Sequence, residues 1–116
     1  MNSSRLFQIL LFLALCIILA VATSKSDLTS AAGISDKFAH ILTFVLLGLL
    51  VRPAFPLWRN RLQPYLWLLS YGLGIEVIQY FIPWRSFSLL DLAADALGIL
   101  LSVLMALTIR QATRAY

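Results

Sequence analysis

Hydrophobic residues occur along this chain in four long runs, which are separated by short segments rich in turn formers and charges. The first run contains no charged residue and is long enough for a membrane-spanning helix, which needs roughly 17–25 residues. The predicted spans are residues 6–23, 35–51, 64–82 and 89–109. The pattern therefore predicts an all-α fold, a single membrane domain built as a bundle of four transmembrane helices.

The ends of these runs carry residues that start or stop helices. Ser35 and Ser88 precede apolar runs and are good N-caps, and Asp91 follows Ser88 at the spacing of a capping box. Pro64 is acceptable as a helix-opening residue, whereas Pro83 predicts the end of the third helix.

Composition supports a membrane protein and excludes several other classes. Of the 116 residues, 61% are hydrophobic and 12% charged, and the mean hydropathy is +0.91, which is too apolar for an ordinary soluble domain. Cys16 is the single cysteine, so the chain has no internal disulfide and no cysteine-based metal site. The positive residues punctuate the apolar runs and form no cluster, which argues against a nucleic-acid partner.

The positive residues also predict the orientation, because Lys and Arg are retained on the cytoplasmic side of short loops. With the N-terminus inside, six positive residues are cytoplasmic and three are not. The predicted topology is therefore N-in/C-in in the cytoplasmic membrane, as a multi-pass protein. The cytoplasmic residues would be Arg5, Arg52, Arg59, Arg61, Arg110 and Arg114, and the outer ones Lys25, Lys37 and Arg85.

A cleavable signal peptide is the alternative for the first run. Arg5 and the Ala20-Val21-Ala22 sequence resemble its charged region and its cleavage site. The apolar stretch exceeds the roughly 7–15 residues usual in such peptides, which favours a retained anchor.

Polar residues inside the spans point to a common layer. All five acids, including Asp27 before the second span, lie toward the outside in this topology. Ionisable residues in a bilayer are costly and face one another or a water-filled cavity, so we expect the polar stripes of three helices to converge. Helical spacing gives these stripes as Asp36, His40, Thr43 and Leu47; Gly72, Glu76, Gln79 and Pro83; and Asp91, Asp95, Gly98 and Ser102.

Several of these polar residues also have a purely structural explanation. Asp36 and Asp91 suit helix N-termini, and Lys37 suits the headgroup layer. His40 taken alone is explained by packing and hydrogen bonding. Ala94, Gly98 and Ser102 form a small-xxx-small face, which we interpret as a close contact between helices.

The order and spacing of these polar residues resemble those of VanZ-like membrane proteins, between Ser35 and Ser102. This resemblance implies a small multi-span membrane protein from a family named for resistance to the glycopeptide teicoplanin, and hence cell-envelope biology. The residues that carry it are Asp36-Lys37-Phe38-Ala39-His40, Glu76-Val77-Ile78-Gln79, Pro83-Trp84-Arg85 with Ser88, and Asp91 through Asp95 to Gly98.

The first functional hypothesis is an extracytoplasmic site that binds or modifies an amphiphilic envelope component, such as a lipid-linked glycan or a lipoglycopeptide. Glu76 and Asp91 are candidates for an acid and a base, with His40 as a proton shuttle. Arg85 would hold an anionic headgroup or serve as counter-charge to Glu76 or Asp91. The further binding candidates are Gln79, Asp36, Lys37 and Asp95.

Other hypotheses remain open. His40, Glu76, Asp91 and Asp95 are chemically able to hold a divalent metal, but no recognised metal-binding spacing is present, so we predict no metal and no cofactor. The polar layer could instead specify assembly, which would make the protein a non-enzymatic scaffold or modulator of an envelope protein. Proton or ion transport is disfavoured, because no residue comparable to Glu76 occurs in the inner halves of the spans.

Overall fold

Four α-helices follow the four apolar runs. The computed structural model describes residues 2–25 and 35–114, and no strand occurs in these ranges. The all-α prediction is confirmed, and the predicted position of Asp27 lies outside the described residues. The helices are α1, Ser3–Thr23; α2, Asp36–Ala54; α3, Gln63–Tyr80; and α4, Leu89–Arg114.

The predicted starting signals act where they were expected. Ser35 Oγ accepts a hydrogen bond from the N–H of Phe38 at 3.2 Å. Ser88 Oγ accepts from the N–H of Asp91 at 3.3 Å, and Pro64 lies in the first turn of α3. The two serine hydroxyls thus bind N–H groups that have no partner within their own helix.

The ends of α2, α3 and α4 differ from the prediction. α2 continues beyond residue 51 to Ala54, whose C=O accepts a hydrogen bond from Gln8 Nε2 of α1 at 2.9 Å. α3 ends at Tyr80. The N–H groups of Phe81 and Ile82 donate hydrogen bonds to the carbonyls of Ile78 and Gln79, three residues earlier in the chain rather than four. Pro83 disfavours helical backbone at the residue before it, which explains this early end. α4 continues past the predicted residue 109 to Arg114.

Among the described residues, three helices are long and apolar enough to cross a membrane: Ser3–Thr23, Asp36–Ala54 and Leu89–Ala112. α3 is not one of them, and it contains the polar residues Gln63, Glu76 and Gln79. Glu76 and Gln79 are buried, so these polar groups do not face the surroundings of the bundle. A crossing by α3 stays a prediction, and so does the N-in/C-in topology, which needs an even number of spans.

The outer surface is apolar while buried polar residues lie inside. Phe12 is 65% exposed, Ile17 62% and Leu90 70%, whereas Glu76 and Asp95 are buried. Large exposed apolar surfaces are rare in soluble monomers and are typical of membrane contact. The apolar helices and this surface together indicate a multi-pass membrane protein.

Glycines bring α2 and α4 into close contact. A Cβ atom on Gly98 would lie 2.5 Å from the backbone oxygen of Ile41, and a Cβ on Gly48 would lie 1.9 Å from Ser102 Oγ. Real Cβ atoms do not approach other heavy atoms so closely, so both positions need glycine. This is the close helix contact that the small-residue spacing predicted, and it places the polar stripes of α2 and α4 side by side.

Candidate functional site

The polar stripes of α2, α3 and α4 meet in one group of side chains, which we call the acidic cluster: Asp36, His40, Glu76, Asp91 and Asp95. One potential ligand atom from each of His40, Glu76 and Asp95 lies within 4.8 Å of the others. The same holds for Asp36, His40 and Asp91. The predicted convergence of the stripes is therefore confirmed, and His40 belongs to both groups.

His40 is held by a buried carboxylate. Its Nδ1 lies 2.7 Å from Asp95 Oδ1, and Asp95 is 1% exposed. This contact is a hydrogen bond between the imidazole and the carboxylate, and the tautomer of the ring decides which of the two atoms donates. Nε2 lies 3.6 Å from Asp91 Oδ2 and 3.9 Å from Asp36 Oδ2. The two ring nitrogens thus face different carboxylates of the cluster.

Lys37 is the cation paired with Asp91. Its Nζ donates to Asp91 Oδ1 and lies 3.9 Å from Asp36 Oδ2 and 3.5 Å from Ser88 Oγ. The sequence offered Arg85 as a counter-charge to Asp91 and the headgroup layer as an explanation for Lys37. The structure instead gives the role of counter-charge to Lys37, because the first turns of α2 and α4 lie next to each other.

Glu76 ties the loop before α4 to α3. Its Oε2 accepts a hydrogen bond from the N–H of Ser88 at 3.0 Å, and the side chain is fully buried. The capping box predicted from Ser88 and Asp91 is therefore half formed, since the N–H that Asp91 would bind is taken by Glu76. Among the described residues, Glu76 Oε1 and Asp95 Oδ2 are buried without a hydrogen-bond partner.

Arg85 and Gln79 bind the end of α1. Arg85 Nη2 donates to the carbonyls of Ser24 and Val21 at 2.9 and 3.2 Å, and Gln79 Nε2 donates to the carbonyl of Ala22 at 3.0 Å. The last carbonyls of a helix have no partner within it, and a positive group there is also favoured by the helix dipole. Both residues therefore anchor α1 beside the acidic cluster.

Gly72 is a site residue that the sequence did not identify as one. A Cβ atom there would lie 2.7 Å from Asp95 Oδ2 and 3.0 Å from Phe44 Cζ. The absence of a side chain is what lets α3 approach the buried carboxylate. The available signal was its place on the polar stripe, one turn before Glu76.

Replacing Gly72 with alanine is expected to displace the Asp95 carboxylate and to cost about 1–3 kcal/mol, as overpacking typically does. Gly74→Ala is the matched control on the same helix, because a Cβ there meets nothing within 4 Å. It should be neutral or stabilising by up to about 1 kcal/mol, since alanine is the better helix former. Unfolding in detergent micelles measures both changes. Equal stabilities of the two variants would contradict the close approach at Gly72.

A cleft of about 240 Å³ opens beside the acidic cluster. The lining from α1 is apolar, with Ile17, Ile18 and Val21, whereas the lining from the rest of the bundle combines polar groups of the cluster with Phe44 and Ile75. An adjoining hollow of about 420 Å³ shares part of this polar lining and extends to Asp91. Glu76 lines neither space. The polar residues of the cleft are Asp36, His40, Thr43, Gln79, Arg85 and Asp95.

Comparison with known sequences identifies the family. The profile of the VanZ/LLP1 family matches residues 1–110. This chain belongs to the VanZ/LLP1 family. This family member is 34% identical over 98 residues to an uncharacterized protein of the yeast Schizosaccharomyces pombe, a match that covers 80% of the chain and 60% of the relative. The VanZ/LLP1 chain thus spans less than two thirds of that relative's length. No solved structure gives a significant match.

Family membership confirms the resemblance but does not identify an activity. The relative from yeast is uncharacterized, so it names neither a substrate nor a partner for this VanZ/LLP1 protein. A yeast relative also means that family membership alone specifies neither the membrane nor a resistance phenotype.

Proposed function

We propose that this VanZ/LLP1 protein has a membrane-embedded site that binds the headgroup of an amphiphilic cell-envelope component, either a lipid-linked glycan or a lipoglycopeptide. The observation that carries the proposal is the cleft, whose lining is apolar on α1 and includes the polar groups of α2, α3, α4 and the turn after α3. An amphiphile is the class of molecule that matches both kinds of lining at once.

The apolar lining from α1 would position a lipid chain. Ile17, Ile18 and Val21 line the cleft along one side of α1. A chain in the bilayer is already in apolar surroundings, so moving it onto this lining gains little hydrophobic free energy. The affinity and the selectivity of the site therefore rest on the headgroup.

The polar lining offers groups for a headgroup that carries both hydroxyls and negative charge. The cleft and the adjoining hollow share Asp36, Gln79 and Arg85. Carboxylate and amide oxygens accept hydrogen bonds from sugar hydroxyls, and a guanidinium is suited to phosphate or carboxylate. The cleft alone is smaller than the roughly 300–1,000 Å³ of a drug-sized pocket, so it fits a headgroup rather than a whole lipid.

The positive-inside rule supports an extracytoplasmic mouth in the cytoplasmic membrane. The six arginines of the predicted inner segments lie at the start of α1, in the last turn of α2 and the loop after it, and at the end of α4. The acidic cluster lies at the opposite ends of these helices. Headgroups of envelope precursors that face outward would reach the cleft from that side.

A modification step, if the bound component undergoes one, would use His40 and Asp91. His40 lines the cleft and Asp91 lines the adjoining hollow, and the two side chains lie 3.6 Å apart through Nε2 and Oδ2. Glu76 lines neither space, and its Oε2 accepts a hydrogen bond from the N–H of Ser88. We therefore give Glu76 a supporting role in such a step rather than a direct one.

A scaffold is the second candidate, and one observation favours it. Several polar residues make contacts between helices: Lys37 with Asp91, His40 with Asp95, and Gln79 with the end of α1. Such contacts would fix one arrangement of the bundle for recognition by another envelope protein. Interhelical polar contacts average only about 0.6 kcal/mol in measured membrane proteins, so stability alone is a weak reason to hold this many charges.

Filling the cleft tests the binding proposal. Ala39 lines the cleft, whereas Ala96 is exposed on α4. In right-side-out vesicles, a photoreactive polyprenyl-phosphate-linked glycan in the outer leaflet should label the wild-type protein. Ala39→Phe should reduce labelling about tenfold or more, equivalent to at least 1.4 kcal/mol. Ala96→Phe should leave labelling unchanged.

Two results would contradict binding at the cleft. One is equal labelling of the wild type and Ala39→Phe when both are present in the membrane at the same amount. The other is a wild type labelled no more strongly by the glycan probe than by a photoreactive phosphatidylcholine. The second result would favour the scaffold.

A further inference from the structure

Two buried carboxylates of the acidic cluster each leave one oxygen without a partner. Glu76 is 0% exposed and Asp95 1% exposed, and their Oε1 and Oδ2 atoms receive no hydrogen bond from the described residues. Buried polar atoms in native proteins are almost always paired, so an orphaned pair of oxygens needs an explanation. Carboxylate oxygens that are aimed into a protein interior suit a bound cation.

The geometry is close to that of a single coordination sphere. His40, Glu76 and Asp95 each offer one ligand atom, and these three atoms lie within 4.8 Å of one another. Three atoms that lie within 4.8 Å of one another are all within about 2.8 Å of a common point. Because metal–ligand distances are roughly 2.0–2.2 Å, each atom would need to move by less than about 1 Å to bind one ion.

The three ligands are positioned independently. They come from α2, α3 and α4, the helices that form the acidic cluster. The N–H of Ser88 holds one oxygen of Glu76 at 3.0 Å and leaves the other to point elsewhere. Gly72 removes the side chain that would otherwise occupy the space beside Asp95 Oδ2. Fixed outer contacts of this kind orient the ligands of metal sites in proteins.

We propose that His40, Glu76 and Asp95 bind a divalent transition-metal cation. One imidazole nitrogen with two carboxylate oxygens favours an ion of the manganese-to-zinc series over magnesium or calcium, which prefer oxygen ligands alone. The second group of the cluster, Asp36, His40 and Asp91, is a poorer site. Lys37 already neutralises Asp91, and the side chain of Asp36 is 55% exposed.

The ion would lie beside the cleft, whose lining includes His40 and Asp95. The inference does not rest on the proposed function, because it concerns the affinity for a metal ion and requires no amphiphile. If the protein binds manganese but is not labelled by the glycan probe, the metal proposal stands and the proposed function fails. If it is labelled but binds no manganese, the proposed function stands and the metal proposal fails.

Manganese titration of the protein tests the site. The protein is purified in detergent, stripped with a chelator and titrated with MnCl₂, and free manganese is followed by electron paramagnetic resonance. One saturable site is expected, from which ZnCl₂ displaces manganese. Glu76→Gln and Asp95→Asn should each weaken binding about tenfold or more. Ser102→Ala removes a buried hydroxyl of α4 outside the cluster and should leave binding unchanged.

Further variants decide between the two groups of the cluster. Asp36→Asn should leave manganese affinity unchanged, and a loss in this variant would overturn the assignment by placing the ion at Asp36, His40 and Asp91. The absence of saturable binding in the wild type, or equal affinity in Glu76→Gln, would also overturn it. Glu76→Gln preserves shape, so it carries the test if Asp95→Asn does not yield a monodisperse protein.

Discussion

Replacing His40 with leucine is expected to lower the free energy of unfolding by about 3–5 kcal/mol, because it leaves a buried carboxylate without its partner. The Nδ1 of His40 is 2.7 Å from Asp95 Oδ1, and the other Asp95 oxygen already lacks a partner. Leucine keeps most of the apolar contact area but offers no donor. Denaturation in micelles, followed by helical circular dichroism, measures the loss.

A second substitution separates this effect from a simple packing defect. Asp95→Asn in the His40→Leu background removes the stranded charge while preserving the shape of the side chain. The double variant should recover a substantial part of the lost stability, since the penalty belongs to an unpaired charge rather than to a cavity. A His40→Leu variant that loses less than about 1 kcal/mol, in the range of exposed ion pairs, would falsify the view that this contact is a buried pair.

Gly48→Ala is expected to have the second large effect, on the packing of α2 against α4. Its Cβ would lie 1.9 Å from Ser102 Oγ and 2.6 Å from Ser102 Cβ. The latter atom is fixed to the backbone, so the helices must separate. Overpacking typically costs about 1–3 kcal/mol and occasionally more, and this contact belongs at the upper end. Thermal unfolding in detergent should show a marked fall in Tm.

Exchanging the two residues tests the cause. In the Gly48→Ala, Ser102→Gly double variant the methyl group occupies the space vacated by the serine side chain. Most of the stability should return, apart from a loss of roughly 1 kcal/mol for a glycine inside α4. Additive losses in the double variant would show that contact between these two positions is not the reason.

Hydrophobic runs and local signals were sufficient to locate the helices. The four runs predicted α1 to α4, and Ser35, Ser88 and Pro64 marked three of the starting points. Such signals are local, because an N-cap binds within its own first turn. The ends of α2 and α3 were less accurate. The C=O of Ala54 at the end of α2 binds Gln8, which is far away in the sequence, and a tight turn ends α3.

Most residues of the candidate site could also be predicted from the sequence. Helical spacing placed His40, Glu76 and Asp95 on the inner stripes of their helices, and the cost of exposing them to lipid predicted that the stripes meet. Spacing does not specify which atoms pair when they meet. Lys37 rather than Arg85 neutralises Asp91, and Ser88 N–H binds Glu76 rather than Asp91.

The sequence by itself determined that this protein has apolar helices, where they begin, which faces of α2, α3 and α4 are polar, and the family to which the chain belongs. The tertiary structure alone decided the partners of each charge, the role of Gly72 and the cleft between α1 and the acidic cluster. The physical reason is that periodicity fixes a face on one helix, whereas pairing depends on the relative rotation and distance of two helices. Close contacts at Gly48, Gly72 and Gly98 set the relative rotation and distance of α2, α3 and α4.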